Sequence, residues 1–208
     1  MSEYSELRGL EYPVWFRCPE LGYTKANHPL AFSHCVSRMF YAFGIMADIP
    51  DEKRVSYLDF GSGGGAMADF IAPGFQKAIG VEPRPEARAY AQKINSRSGI
   101  SYVASLAEAV PHAPFDFITF TEVIEHMGVE EAKETLRSLS TLLSEDGLLF
   151  LTTPPAHTED GSNPENHYHV HEYSAVELRA LLEGYFKIVK VAPLGHNTLT
   201  SICTEPIR

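Results

Sequence analysis

One short stretch constrains this chain more than any other: Val55-Ser-Tyr-Leu-Asp-Phe-Gly-Ser-Gly-Gly-Gly65. It begins as an apolar strand, sets the carboxylate of Asp59 at the strand's end, and breaks into a loop with four glycines. A helix-compatible run, Ala66 to Ile71, follows at once. Strand, glycine turn and helix in succession form a ligand cradle rather than a linker. Without Cβ atoms the backbone can turn tightly, approach a ligand closely and aim N–H groups at it.

Two ligand classes use such a cradle. Gly61, Gly63 and Ala66 satisfy the dinucleotide pattern G-x-G-x-x-A, which opens the reading of a nicotinamide-dependent oxidoreductase. The same turn, Asp59-x-Gly61-Ser62-Gly63-x-Gly65, resembles motif I of the class I S-adenosylmethionine-dependent methyltransferases. Asp59 separates the two. A carboxylate suits a cofactor tail that carries an ammonium beside a sulfonium, and it repels a pyrophosphate. A second acid, Glu82, ends the apolar run Ala78-Ile-Gly-Val about twenty residues on, where both classes bind ribose hydroxyls. S-Adenosylmethionine is therefore the expected cofactor. The oxidoreductase, and a module that binds cofactor without turnover, stand as alternatives.

A chain of 208 residues suits one α/β domain with a full core. The net charge of −10 argues against a nonspecific nucleic-acid binder, because phosphate affinity needs clustered Lys and Arg. Cys18, Cys35 and Cys203 are odd in number and far apart, which suggests reduced thiols in a cytoplasmic setting. No apolar run approaches a membrane span, and Met-Ser-Glu-Tyr-Ser-Glu lacks signal-peptide character.

Residues 1–50 read as a separate aromatic-rich segment with one helix. Tyr4, Tyr12, Trp15, Phe16 and Tyr23 are expected to pack, either as a lid over the ligand cleft or around the core. Leu30 to Ala47 is the helix, with Phe32, Val36, Met39, Phe40 and Phe43 as its core-facing stripe. The cofactor-binding domain is expected over residues 51–208, and from residue 54 strands and helices alternate, implying a mostly parallel sheet with helices on both faces. The strands expected after the first are Ala78–Val81, Ile100–Ala104, Phe117–Thr121 and Leu148–Thr152. Between them lie helices from Pro85 to Asn95 and along Val129, Ala132, Leu136, Leu139 and Leu143. Ser174-Ala-Val-Glu177 is a capping box opening a further helix, and Phe186–Ala192 with Thr198–Thr204 closes the chain as an antiparallel pair. This Rossmann-like plan is similar to the class I methyltransferase fold over about residues 50–204.

In such sheets ligands bind at the carboxyl ends of the strands, so Asp59, Gly61, Gly63, Glu82, Leu106 and Glu122 are expected to converge. Where the family often carries an acid for the adenine amino group, this chain has Leu106, which leaves adenine to backbone groups and apolar stacking. Phe120-Thr-Glu-Val-Ile-Glu-His-Met127 looks like motif IV of the ubiquinone-biosynthesis O-methyltransferase group, in which Glu-x-x-Glu-His is common. His126 is the general-base candidate, since a histidine accepts a proton from a hydroxyl near neutral pH.

The loop Asn166-His-Tyr-His-Val-His-Glu-Tyr173 adds three histidines. An extended chain would place His167, His169 and His171 on one side. The resemblance singles out His169, four residues before Tyr173, as a second candidate. It also offers a sharper alternative. Small-RNA 2′-O-methyltransferases of the superfamily hold a divalent ion with two glutamates and two histidines, which Glu122, Glu125, His126 and His169 match. The resemblance thus implies methyl transfer to a small hydroxylated acceptor such as a sugar or natural-product intermediate. A metal-dependent enzyme acting on a 2′-type hydroxyl of RNA or sugar is the runner-up.

Overall fold

The computed structural model describes residues 29–96, 99–195 and 197–207. The aromatic run between Tyr4 and Tyr23, with its expected lid or wrap, lies outside the described residues. Strands β1 (Ser56–Phe60), β2 (Lys77–Val81), β3 (Ile100–Val103), β4 (Phe115–Thr121), β5 (Leu143–Thr153), β6 (Phe186–Pro193) and β7 (Leu199–Pro206) form one sheet of order β3-β2-β1-β4-β5-β7-β6. The pairs among β1 to β5 are parallel, while β7 runs antiparallel to both β5 and β6. The chain leaves β1 toward β2 and β3, then returns to β4 on the other side of β1. That reversal opens a crevice at the carboxyl ends of β1 and β4.

Period-two alternation sorts the strand side chains into two layers. Leu58, Ile118, Phe120, Leu149 and Leu151 face Leu136 and Leu139 of α5 (Val129–Leu142) and Leu178 and Leu182 of α6 (Ala175–Leu182). Tyr57, Phe117 and Phe150 face α1 (Pro29–Ala47) and α2 (Ala66–Ile71). α3 (Pro85–Ile94) and the short α4 (Leu106–Ala109) complete the helices, and no helix among the described residues is long and apolar enough to cross a membrane.

The helix stripes are narrower than the sequence suggests. Among the described side chains of α1, which do not include Phe32, the buried positions are Met39, Ala42 and Met46, whereas Phe40 and Phe43 are 63% and 43% exposed and lean their rings on Phe70. Steps of 3 and 4 along Met39, Ala42 and Met46 define the true seam, and the two phenylalanines flank it. Val129, at the first turn of α5, is likewise exposed, and Leu143 has already left the helix for β5.

β4 and β5 also start earlier than expected. Leu143 pairs with Phe115, and the register then slips so that Leu148 pairs with Phe117. The Glu145-Asp-Gly147 segment is therefore a bulge within β5 rather than a turn before it. Gly147 is required there, because a Cβ would come within 2.9 Å of the Phe115 carbonyl oxygen.

Candidate active site

Asp59 ends β1 beside Thr119 of β4, its direct partner in the ladder. The Thr119 hydroxyl donates to Asp59 Oδ1 at 2.7 Å and takes the Tyr57 hydroxyl at 2.6 Å. Oδ2 is buried with no hydrogen-bond partner. Burial pushes this carboxyl up to about 7, against the opposing pull of the Thr119 hydroxyl and the Ala68 N–H and with a further push from Glu82. Ser62 Oγ, in the turn that follows, is a second buried oxygen without a partner. Two orphaned polar atoms in one glycine turn are the mark of a site built for a polar ligand.

The turn is bound tightly to its neighbours. Gly61 N and Ser62 N both donate to the Val81 carbonyl at 2.9 Å, and Gly63 N donates to Glu82 Oε2 at 2.9 Å. These three N–H groups therefore fasten the turn to the end of β2 rather than stand free for a ligand. A Cβ on Gly61 would fall 2.4 Å from a Val123 methyl, so the turn also presses on the segment leaving β4. Glu82 is buried, and its Oε1 accepts from Arg84 N and Arg84 Nε at 2.9 Å each. Leu106 opens α4 behind the Ser105 cap and packs against the core at the end of β3.

Glu122 leaves β4 with φ of +55°, a left-handed conformation that non-glycine residues hold only when their surroundings impose it. Its N–H bonds the Thr152 carbonyl at 2.9 Å, its Oε1 accepts from Thr152 Oγ1 at 2.8 Å, and its Oε2 lies 3.2 Å from Arg38 of α1. The tight turn Ile124–His126 then brings Glu125 inside and His126 outward. Glu125 accepts from Thr153 Oγ1 at 3.1 Å, and burial with the nearby Glu122 pushes its carboxyl well above the usual range.

Glu125, His126 and His169 place ligand-type atoms within 4.8 Å of one another. His126 Nδ1 bonds the Tyr168 carbonyl at 2.8 Å, and His169 Nδ1 bonds Glu172 at 2.6 Å. The Nε2 atom of each ring is thus the one left for chemistry, with the two rings edge to face at 5.1 Å. Partial burial and the neighbouring His169 lower the His126 pKa, although the Tyr168 carbonyl pulls the other way.

The His-rich loop is not extended. His169 N bonds the Asn166 carbonyl and Asn166 N bonds Asn163, which folds the segment into successive turns. His167 consequently lies exposed against the Tyr168 ring, and His171 pairs with Glu177 of α6 at 2.7 Å. Only His169 of the three reaches the cluster, so alternation along a strand does not apply here.

Four participants escape a reading of the sequence. Thr119 and Thr153 act across strand neighbours, Arg38 reaches in from α1, and Glu172 collects the histidine loop. Thr119 left a trace, being the polar interruption of an otherwise apolar Phe117-Ile-Thr-Phe run. Apart from this centre, a cavity of about 570 Å³ lies between α1, α2 and the turn before β2, lined by residues such as Phe43, Phe70 and Arg54.

A family described as a methyltransferase domain matches residues 34–190. The chain belongs to that family. Together with the sheet order, this makes it a class I S-adenosylmethionine-dependent methyltransferase, not the oxidoreductase that the glycine spacing also allows. The methyltransferase is 31% identical over 102 residues to the ubiquinone biosynthesis O-methyltransferase of Chromobacterium violaceum, covering 46% of this chain and 43% of that protein. The match thus spans less than half the length of that relative. Among solved structures, the DhpI–SAH complex has a TM-score of 0.68 at 16% identity, with 94% of each chain covered. The small RNA methyltransferase HEN1 has a TM-score of 0.67 at 22% identity, covering 82% of this chain and 26% of that one. These two likenesses are of fold.

Proposed function

We propose that the methyltransferase methylates a hydroxyl of a small molecule, a sugar or a natural-product intermediate. One observation carries this reading: two imidazoles, each tethered through Nδ1 and so with Nε2 left for chemistry, meet edge to face at 5.1 Å just beyond β4. A pair of fixed proton acceptors suits a neutral O–H acceptor, which must lose its proton as it is methylated. In this reading Asp59 and Ser62 receive the amino-acid end of the cofactor, since their orphaned oxygens can accept from its ammonium. Glu82 faces the ribose and the start of α4, at Leu106, flanks the adenine. Bound there, the cofactor supplies an electrophilic methyl on a sulfonium. Glu122 shapes the floor of the crevice through its left-handed turn. The net charge of −10 weighs against a polyanionic acceptor such as RNA.

The test is S-adenosylhomocysteine release with catechol, 3,4-dihydroxybenzoate, methyl β-glucoside and adenosine as probes. Turnover of at least one is expected, and His126→Ala/His169→Ala should lower it by about 10²–10⁴-fold while cofactor binding by calorimetry persists. No release above background from any probe, or full activity in the double variant, defeats the proposal.

The gathering of Glu125, His126 and His169 favours a second reading, in which a divalent ion grips the acceptor oxygen and lowers its pKa. Glu125, His126 and His169 would hold the ion. The fit is incomplete, because Glu122 is turned to Thr152 and Arg38, and Glu125 is biased toward its protonated form. Turnover in excess EDTA is accordingly expected to equal that without chelator. Loss of activity in EDTA with recovery on adding Mn²⁺ would install the metal-dependent reading instead.

A further inference from the structure

We propose that Glu172 is a positioning residue that makes His169, rather than His126, the proton acceptor of the reaction. The inference rests on the hydroxyl-methylating reading above and assigns the roles within it. Glu172 is fully buried where the histidine loop meets the sheet edge, just before the bridge between Tyr173 and Pro155. Its carboxylate accepts from His169 Nδ1 at 2.6 Å, Asn163 Nδ2 at 2.7 Å, His157 Nδ1 at 2.7 Å and His157 N at 3.3 Å. Every partner is a donor, and an ionised carboxylate is an acceptor only. Donors converging on one buried carboxylate match its ionised form.

That anion fixes the tautomer of His169. With Nδ1–H pointing at Glu172, the lone pair sits on Nε2, on a ring that belongs to the cluster with Glu125 and His126. His126 is tethered in the same sense, but by the neutral Tyr168 carbonyl. The difference appears once a proton moves. The acceptor oxygen bonds the methyl carbon, the methyl–sulfur bond breaks with its electron pair kept by sulfur, and the hydroxyl proton passes to Nε2. Charge arising on His169 then lies 2.6 Å from a buried carboxylate that its own N–H contacts, whereas charge arising on His126 meets a carbonyl dipole, a second imidazole and the opposed charges of Glu122 and Arg84. Preorganised charge of opposite sign is the stronger stabiliser.

Glu172→Gln keeps the shape of the side chain while removing the charge and adding an N–H donor, which disfavours Nδ1–H on His169. Nitrogen-15 NMR of the S-adenosylhomocysteine complex is expected to show His169 as the Nδ1–H tautomer in the wild type and to lose that signature in E172Q. This readout needs no acceptor, so it stands apart from the test of hydroxyl methylation itself. With the probe that the wild type turns over fastest, E172Q should lose about 10²-fold or more in kcat with KM little changed. E172Q/H169A should be no slower than H169A, as expected of groups that act as a unit. His171→Ala, which removes the tie of the same loop to Glu177 of α6, should keep kcat within about threefold, showing that a loosened loop is not the cause. Wild-type kcat in E172Q, an unchanged His169 tautomer, losses that multiply in the double variant, or a larger loss in H126A than in H169A would each overturn the assignment.

Discussion

Asp59→Asn will weaken S-adenosylhomocysteine binding at pH 8 by about 30-fold or more, and the wild-type affinity will depend on pH in a way the variant's does not. Asp59 is 1% exposed, and its Oδ2 has no partner. Removing the charge that meets a buried ammonium typically costs at least about 2 kcal/mol, which is the 30-fold. The pH dependence follows from the carboxyl's own pKa of about 7. Because that value lies above the ordinary carboxylate range, the unliganded fold prefers the proton. The stability it confers is complete at acid pH and lost as pH rises through about 7. A cationic ligand demands the opposite, ionised form. Wild-type affinity should therefore climb by roughly tenfold per pH unit well below 7 and level off above it, until the ligand's own amino group begins to lose its proton near 8. Asn cannot titrate, so D59N should bind weakly and evenly across pH 5.5–7.5, and its unliganded form should be the more stable of the two at pH 8. Calorimetry at four pH values measures the first and thermal melts the second. A flat wild-type profile would show that Asp59 does not meet the cofactor's cation.

What could be read in advance is the chemistry held within a few residues of chain. The strand–glycine–helix unit was legible because Gly61, Gly63 and Gly65 all adopt positive φ, which few other residues tolerate. The capping box was legible because Ser174 and Glu177 meet within a single helical turn. Partners brought together by the sheet were not. Thr119 reaches Asp59 across 60 residues of chain, and only the β1–β4 register places them side by side. Arg38 meets Glu122 through the docking of α1, which no periodicity encodes. The histidine loop misled for the converse reason. Alternating histidines imply an extended strand, but the Asn163 side chain accepts from Glu165 N and Asn166 N and turns the backbone instead. Asn and Asp stabilise such turns through their own oxygens, and that local preference overrides the pattern of neighbours.

The same reasoning makes Gly65 less replaceable than Gly63, and Gly65→Ala should be far more damaging than Gly63→Ala. Both residues have positive φ, +84° and +51°. An alanine in that region costs about 1–2 kcal/mol through contact of its Cβ with the following carbonyl. At Gly63 nothing else lies within 4 Å of the added atom, so that strain is the whole effect. At Gly65 the new Cβ would fall 2.4 Å from the Tyr102 hydroxyl and 2.9 Å from both Tyr102 Cζ and the Ala91 Cβ. None of these neighbours yields easily. The Tyr102 hydroxyl is anchored to the Asn95 carbonyl at 2.5 Å, and Ala91 is fully buried in α3. Overpacking of this kind adds about 1–3 kcal/mol. The total, about 2–5 kcal/mol, is a large part of the stability of a typical domain. Differential scanning calorimetry should therefore place G65A about 4–20 °C below the wild type and G63A about 2–8 °C below it. The pressure at Gly65 also bears on Asn95, whose Nδ2 bonds the Gly64 carbonyl at 2.6 Å and so ties the glycine turn to the end of α3. If G65A and G63A melt together, the close approach of β3 and α3 to the turn is not what selects glycine there, and left-handed geometry alone accounts for both residues.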